Sequence, residues 1–297
     1  MAATANVPTV GVLAATPDEF ALLLRLARAI DHENGMRILP MQGKGPVQTL
    51  TDLVSLKGID AALVSSDTLA FMERNGLLEG FGSKISFILR LSTLDVHVIA
   101  RSGIETLADL DGKTVAIGPA SSDSYVAGQL LLEAAGASVR TIEANGATAL
   151  RAVTEGKADA AILVGRKPLS EIKALQASSE LHLLDVAAPE GLQEIYAPSL
   201  VTHEDYPQLI GAEHAVETVS AALVIAVFNW QRGSPQYDKV RSFTDGLFSA
   251  LQPGGASDAS LNLAASVPGW ARHRAVEEAL KSHEKKLQTV TQSTPEE

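Results

Sequence analysis

Two groups of polar loops could do chemistry. In AIGPASSDSY (Ala116 to Tyr125) an apolar run stops at Gly-Pro and empties into Ser121, Ser122, Asp123 and Ser124 before a long apolar helix pattern begins. Hydroxyls at that place can accept hydrogen bonds from the orphan N–H groups of the next helix and simply cap it. The same N–H groups and hydroxyls can instead hold an anion. A later apolar run ends in Arg166-Lys167. An Arg can fork a carboxylate through two hydrogen bonds, although both cations would equally coat an exposed turn.

The first half of the chain offers a different set. Thr16-Pro17-Asp18-Glu19 is a helix-start signal, with Thr16 as N-cap, Pro17 at the first helical position and Glu19 completing a capping box. Ser66 and Asp67 follow another apolar strand at another helix start. Such acids repel an anion but accept an ammonium group or hydroxyls. Lys44, in a polar loop from Gln42 to Pro46, cuts the other way, and the glycines on either side of it let backbone approach a ligand closely. Arg90, followed by the hydroxyl residues Ser92 and Thr93, requires a partner if buried, either an acid such as Asp95 or the carboxylate of a ligand. Tyr125 and Tyr196 can form an apolar wall with a polar tip, or belong to the core.

Composition excludes several classes. The 297 residues carry a formal charge of −11 without a Lys/Arg cluster, which removes the footprint of a nucleic-acid binder and of an anionic-membrane binder. With no cysteine there are no disulfides, thiol nucleophiles or thiolate metal sites. The seven histidines show no metal-ligand spacing, and His97, inside an apolar run, reads as a core residue. No G-x-S-x-G elbow occurs. No metal, cofactor or catalytic residue is therefore expected, and the longest apolar run is far short of the ~20 residues that cross a bilayer.

These loops need a scaffold that alternates strands and helices. Strands are expected at Thr9–Ala14, Arg37–Met41 and Ala61–Val64, with helices at Pro17–Ala29 and Val47–Leu56 between them. The same grammar returns with strands at Thr114–Ile117, Val139–Ile142 and Ala160–Val164 and helices at Ser124–Ala135 and Ala147–Glu155. KGIDAALV (57–64) and GKADAAIL (156–163) occupy the same place in the two units, which points to duplication. Lys84 to Ala100 reads as two strands, ISFIL and VHVIA, broken at Arg90–Thr93, and Thr218–Phe228 as a further buried strand. Parallel sheets with crossover helices follow. The chain would leave a first lobe near residue 97 and return near 217. Lobe 1 is then 1–96 plus 217–297 and lobe 2 is 97–216. Ligands of such sheets sit beyond the carboxyl ends of the strands, which places the cleft between lobes.

Stretches such as LVSLKGIDAALVSSDTLAF, IETLADLDGKTVAIG, YAPSLVTHEDYPQLI, VETVSAALVIAVFNW and VPGWARHRAVEEAL resemble the TAXI-type solute-binding proteins of TRAP transporters, over roughly Val10 to Leu280. The resemblance implies an α/β fold of the two-lobed type II periplasmic binding protein kind, each lobe a mostly parallel sheet flanked by helices, joined by a two-crossing hinge. It also implies a periplasmic monomer whose leader has been removed and whose partner is a TRAP membrane subunit. Two ligand loops depart from the family, which usually has a Gly-rich turn where this chain has Ala14–Glu19 and a Gly-Ser-Gly-Thr-like turn where it has Ala120–Ser124.

Taken together, the residues suggest a small carboxylate-containing anion or zwitterion held between lobes. Ser121, Ser122, Ser124, Arg166 and Lys167 would close over one end, while Thr16, Asp18, Gln42, Lys44, Ser66 and Asp67 hold the other. Arg90, Ser92, Tyr125 and Tyr196 would complete the site. The alternatives are a binding protein of an ABC importer or sensor, an enzyme on the same fold, and a surface protein whose pocket has degenerated.

Overall fold

The computed structural model describes residues 8–31, 36–77, 80, 82–176, 180–250 and 265–281. The first unit runs β1 (Thr9–Ala14), α1 (Pro17–Asp31), β2 (Arg37–Gln42), α2 (Pro46–Ser55), β3 (Ala61–Ser65) and α3 (Asp67–Arg74), and leads into the long strand β4 (Ile85–Arg101). The second unit follows as β5 (Thr114–Ile117), α4 (Asp123–Ala134), β6 (Arg140–Glu143), α5 (Gly146–Thr154) and β7 (Ala160–Gly165). The remainder comprises α6 (Ser170–Lys173), β8 (Leu181–Leu183), β9 (Ala197–Thr202), a second long strand β10 (Ala215–Phe228) and α7 (Pro235–Ala250), with a further helical segment over 274–281.

One mixed sheet carries all of these strands, in the order β2-β1-β3-β10-β4-β7-β5-β6, with β8 on β4 and β9 on β10. Its outer thirds are parallel: β1 pairs with β2 and β3, and β5 with β6 and β7. The centre is antiparallel, because β4 and β10 run against each other and against their neighbours. Toward residue 85, β4 lies beside β10, which there also pairs with β3; from Asp95 onward β4 pairs with β7. The two long strands thus cross between two lobes, each built around a βαβαβ unit.

Here the sequence expectation is corrected. ISFIL and VHVIA are not two strands but parts of one 17-residue strand. Residues Arg90 to Thr93 are half-buried where the strand passes between lobes, and its ladder to β10 continues there through one register shift at Leu91, with a second at Ile88. An extended backbone with a neighbour to bond needs no apolar side chains to stay extended, so polarity alone did not mark a break.

The echo in the sequence has a structural cause. Asp60 returns a hydrogen bond from the Gly11 N–H to its carboxylate (2.8 Å) while its own N–H donates to the Gly11 carbonyl (2.8 Å). In the second unit Asp159 does the same to Thr114, at 2.8 and 2.7 Å. Each aspartate thereby pins the first strand of its unit to the turn before the third.

Helices cover both faces. Leu23, Ile30, Ile225, Phe243, Leu247 and Val276 seal one face of lobe 1, and Leu150, Val153, Leu163, Ile172 and Tyr206 one face of lobe 2. A third cluster passes from one lobe to the other, running from Leu50, Leu53 and Met72 to Ile117, Leu130 and Tyr196. Burial of each such side chain is worth about 1.5–3 kcal/mol, so apolar packing holds the lobes together on the α3–α4 side.

Candidate ligand site

Three helices, α1, α3 and α4, start just past the carboxyl ends of β1, β3 and β5, and each carries acid in its first turn: Asp18 and Glu19, Asp67, and Asp123. Taken singly, each placement is favourable because a helix N-terminus carries partial positive charge. Taken together, they set carboxylates from both lobes against one another.

Local bonds fix each terminus. The Thr16 N–H donates to Glu19 Oε2 (2.9 Å) and the Glu19 N–H to Thr16 Oγ1 (3.3 Å), the expected capping box. Ser122 Oγ accepts from the Tyr125 N–H (3.2 Å) and donates to the Pro119 carbonyl (2.8 Å). The Gly-Pro before the serines has its reason here, since a Cβ on Gly118 would lie 2.0 Å from Ser122 Oγ. Ser124 Oγ accepts from the Val164 N–H (3.0 Å) and ties α4 to β7. Both serine hydroxyls therefore serve the fold as capping and tethering groups.

Asp67 is fully buried, and the hydroxyls of Ser65 and Tyr196 both donate to it, the latter at 2.7 Å. Burial raises its pKa while those donors oppose the rise, and the pattern of two donors suits a carboxylate. Burial and then the Asp67 charge push Asp123 up to about 7. Burial and then Asp123 raise Glu19 well above the ordinary carboxylate range. Tyr196 is likewise raised, first by burial and then by Asp67.

A cavity of about 520 Å³ opens between the lobes. Thr16, Asp18, Glu19, Leu22 and Arg25 line it from lobe 1, and Ser122, Asp123, Ser124, Arg166, Lys167 and Leu169 from lobe 2, with Leu94 and Leu223 of the crossing strands between them. Glu19 and Asp123 are 4% and 8% exposed, and one oxygen of each, Glu19 Oε1 and Asp123 Oδ1, is enclosed without a hydrogen-bond partner. Arg25 and Arg166 are exposed on the cavity lining. Tyr206 supports this loop: its hydroxyl accepts from the Leu169 N–H (2.7 Å) and meets His97 Nε2 at 3.0 Å. His97 is a core residue, held neutral by burial that lowers its pKa to about 4.

Of the residues singled out in the sequence, Thr16, Asp18, Ser122, Ser124, Arg166 and Lys167 surround this one cavity. The others lie elsewhere. Gln42 donates its amide to the Ala14 carbonyl (3.3 Å) and so braces the turn that carries exposed Lys44. Ser66 Oγ accepts from the Ala222 N–H (2.9 Å), its carbonyl accepts from the Trp270 indole (2.8 Å), and it lines a separate cavity of about 240 Å³. Arg90 and Ser92 are half-buried on β4, away from the cavity lining. Asp95 is not Arg90's partner; it accepts from Ser199 Oγ (2.5 Å) and pairs with Lys167 at 3.6 Å. Tyr125 meets Phe71 edge-on at 6.1 Å, and Tyr196 is core, 1% exposed. Ser121 is exposed, and its backbone carbonyl faces Gly45 so closely that a Cβ there would lie 2.1 Å away. With φ at +94°, Gly45 is a point where lobe 1 backbone closely approaches lobe 2.

Glu19, Asp123 and Arg25 line the cavity as well; the sequence offered Glu19 as a cap or as an acceptor for an ammonium group or hydroxyls, and assigned Asp123 and Arg25 no site role. Glu19 was legible as a cap and Asp123 as an N-terminal acid, but nothing local shows that two such termini oppose each other. Among the described residues no group of three His, Cys, Asp or Glu side chains is arranged to hold a metal ion, and no helix is long and apolar enough to cross a membrane.

Two lobes, two crossing strands and a polar cavity between them define the architecture of periplasmic solute-binding proteins. The chain is similar to the structure of a periplasmic transporter, with a TM-score of 0.53 at 12% identity over 96% of this chain and 97% of that one. It is also similar to the periplasmic binding protein BugD, with a TM-score of 0.50 at 15% identity over 95% and 97% of the two chains. A family model described as the NMT1-like family matches residues 19–241, well over half of the chain, and the protein belongs to that family.

Proposed function

We propose that the protein is an extracytoplasmic solute receptor, not an enzyme, that captures a small carboxylate-bearing organic solute between its lobes and presents it to a TRAP-type membrane transporter. The lobes of this reading are 1–96 with 217–297, and 97–216. The observation that carries it is the cavity of about 520 Å³ lined from both lobes beside the crossing strands. A volume of that order suits a small organic molecule. Arg166 and Arg25, exposed on its lining, are the groups that would meet a carboxylate. Closure reports occupancy because a ligand stabilises the closed form by its higher affinity for it. The TRAP assignment rests on the motif resemblance in YAPSL, VFNW and VPGWAR. Within one of these motifs Trp270 bonds the loop after β3.

The test is a thermal-shift panel on protein unfolded and refolded to strip carried-over solute, using amino acids, dicarboxylates, keto acids, sulfonates and inorganic anions. At a hundredfold excess over Kd a ligand stabilises by about 2.7 kcal/mol, a visible shift. A carboxylate that shifts the wild type but loses affinity in Arg166→Ala supports the reading; a folded protein that responds to nothing overturns it. A neighbouring gene for a TRAP membrane subunit, as against an ATPase and permease, distinguishes the transporter class.

A further inference from the structure

We propose that the cleft closes with uptake of protons by Glu19 of lobe 1 and Asp123 of lobe 2, so that acidity holds the lobes together and rising pH drives them apart. As regulation of the cleft this rests on the receptor reading, but the movement itself requires no solute.

The two acids stand where the lobes can part. Apolar packing joins the lobes on the α3–α4 side, through Leu69, Met72, Leu130 and Tyr196 among others. The side free to separate is therefore the one where α1 meets α4 and the loop after β7, around the cavity. Glu19 and Asp123 lie there, on helices of opposite lobes, and both are more than nine-tenths buried. Each encloses one oxygen without a hydrogen-bond donor, and among the described residues neither acid forms an ion pair. A carboxylate buried without a donor or a cation is unfavourable, and the neutral acid is much less so. Parting the lobes returns both groups to water, where the charged form is the stable one. Protonation favours closure and closure favours protonation by the same factor, because the coupling is reciprocal.

The surrounding charge works in the same direction. Asp67, on α3, keeps its donors Ser65 and Tyr196 and stays with the packed side. Burial, and then the charge of Asp67, raise Asp123 to about 7, while burial, and then Asp123, raise Glu19. The other charges facing the pair are Asp18 and Arg25 on α1, Arg166 and Lys167 after β7, and Lys44 beside the close approach of Gly45 to Ser121. Asp18, Arg25, Lys44 and Arg166 are exposed and screened by solvent, and Lys167 is held by Asp95 and Ser199. The closed form thus has the higher proton affinity: closure is fully favoured below the ordinary carboxylate range, weakens as pH rises to about 7 and is flat beyond. Asp123 alone changes the closed-to-open ratio by up to about tenfold per pH unit in that window. The apparent affinity for a solute that binds the closed form falls with it.

The chain has no cysteine, so Arg28→Cys on α1 and Lys173→Cys on α6, both at exposed positions, admit two dyes and no others. Energy transfer between them is measured on refolded, solute-stripped protein across the range from acid to mildly alkaline pH in carboxylate-free buffers, with circular dichroism confirming the fold at each pH. The distance in the otherwise wild-type protein should lengthen reversibly as pH rises, with the closed-to-open ratio falling at least about tenfold between about pH 5 and about pH 8. A Glu19→Gln/Asp123→Asn double variant, neutral at both positions at every pH, should stay at the short distance throughout. A wild-type distance that ignores pH, or a double variant that keeps the wild-type response, overturns the proposal. If the double variant does not fold, the single Asp123→Asn change replaces it and should reduce the pH response; a response equal to that of the wild type overturns the proposal there too. Since no solute is present, failure here leaves the receptor reading standing, whereas failure of the solute panel with the pH response intact removes the receptor and keeps the movement.

Discussion

Replacing Asp123 by Asn should stabilise the protein, and more so the higher the pH. In the folded state its carboxyl is pushed from an ordinary 3.8 to about 7 by burial and by the charge of Asp67. The native protein therefore keeps a proton that the unfolded chain releases, and stability falls as pH rises from about 4 to about 7, then levels off. A shift of about three pH units corresponds to about 4 kcal/mol at most. Because Glu19 titrates with it, the two share that cost, and the change attributable to Asp123→Asn between pH 4 and pH 8 should be at least about 2 kcal/mol. Urea denaturation of both proteins at five pH values across this range measures it. With an m-value of roughly 2 kcal/mol/M, the midpoint difference grows by about 1 M over the series. Facing groups that could blur the slope are Asp18, Glu19, Asp67, Arg25, Arg166 and Lys167. A difference between variant and wild type that is flat with pH would refute the reasoning, because it would mean that Asp123 is solvated or permanently paired.

Gly45→Ala should hinder the closed contact, since its Cβ would lie 2.1 Å from the Ser121 carbonyl and its φ of +94° disfavours any side chain; small-angle scattering should show a larger radius of gyration, and an unchanged one contradicts the contact. Tyr196→Phe removes one of two hydroxyl donors to buried Asp67 and should cost about 1–3 kcal/mol at neutral pH by urea denaturation. That loss should shrink under acid, where Asp67 is protonated. His97→Gln bears on the acid side of the stability curve. With its pKa held at about 4 by burial, partly opposed by Asp95, the native state binds fewer protons than the unfolded chain, so the wild type loses stability as pH falls from about 6.5 to about 4. The variant should lose about 3 kcal/mol less over that window by the same titration of urea midpoints; parallel curves would place the acid sensitivity elsewhere, with His273 the first candidate.

Much of the fold was legible because its signals are local. Each βαβαβ unit announces itself through apolar strands, a helix period and a Gly turn before Asp-Ala-Ala, and Asp60 and Asp159 perform the same clamp in both units. Thr16, Glu19 and Ser122 could be read as caps because a cap and its partner lie three residues apart. The central strand was misread as two because what keeps residues 90–93 extended is β10, more than a hundred positions away in sequence.

The site divides along the same line. Residue types and spacing determined which loops end strands and begin helices, and hence that Thr16, Asp18, Ser122, Ser124 and Arg166 would lie at strand ends. Only the tertiary structure decided which of those ends meet. It turned Tyr196 and Asp67 into a buried pair, gave Asp95 to Ser199 and Lys167 instead of Arg90, and set Glu19 against Asp123. Each acid is favourable at its own helix terminus through short-range bonds that the sequence encodes within one turn. Their repulsion exists only because two lobes bring distant termini together where the carboxylates are buried and poorly screened.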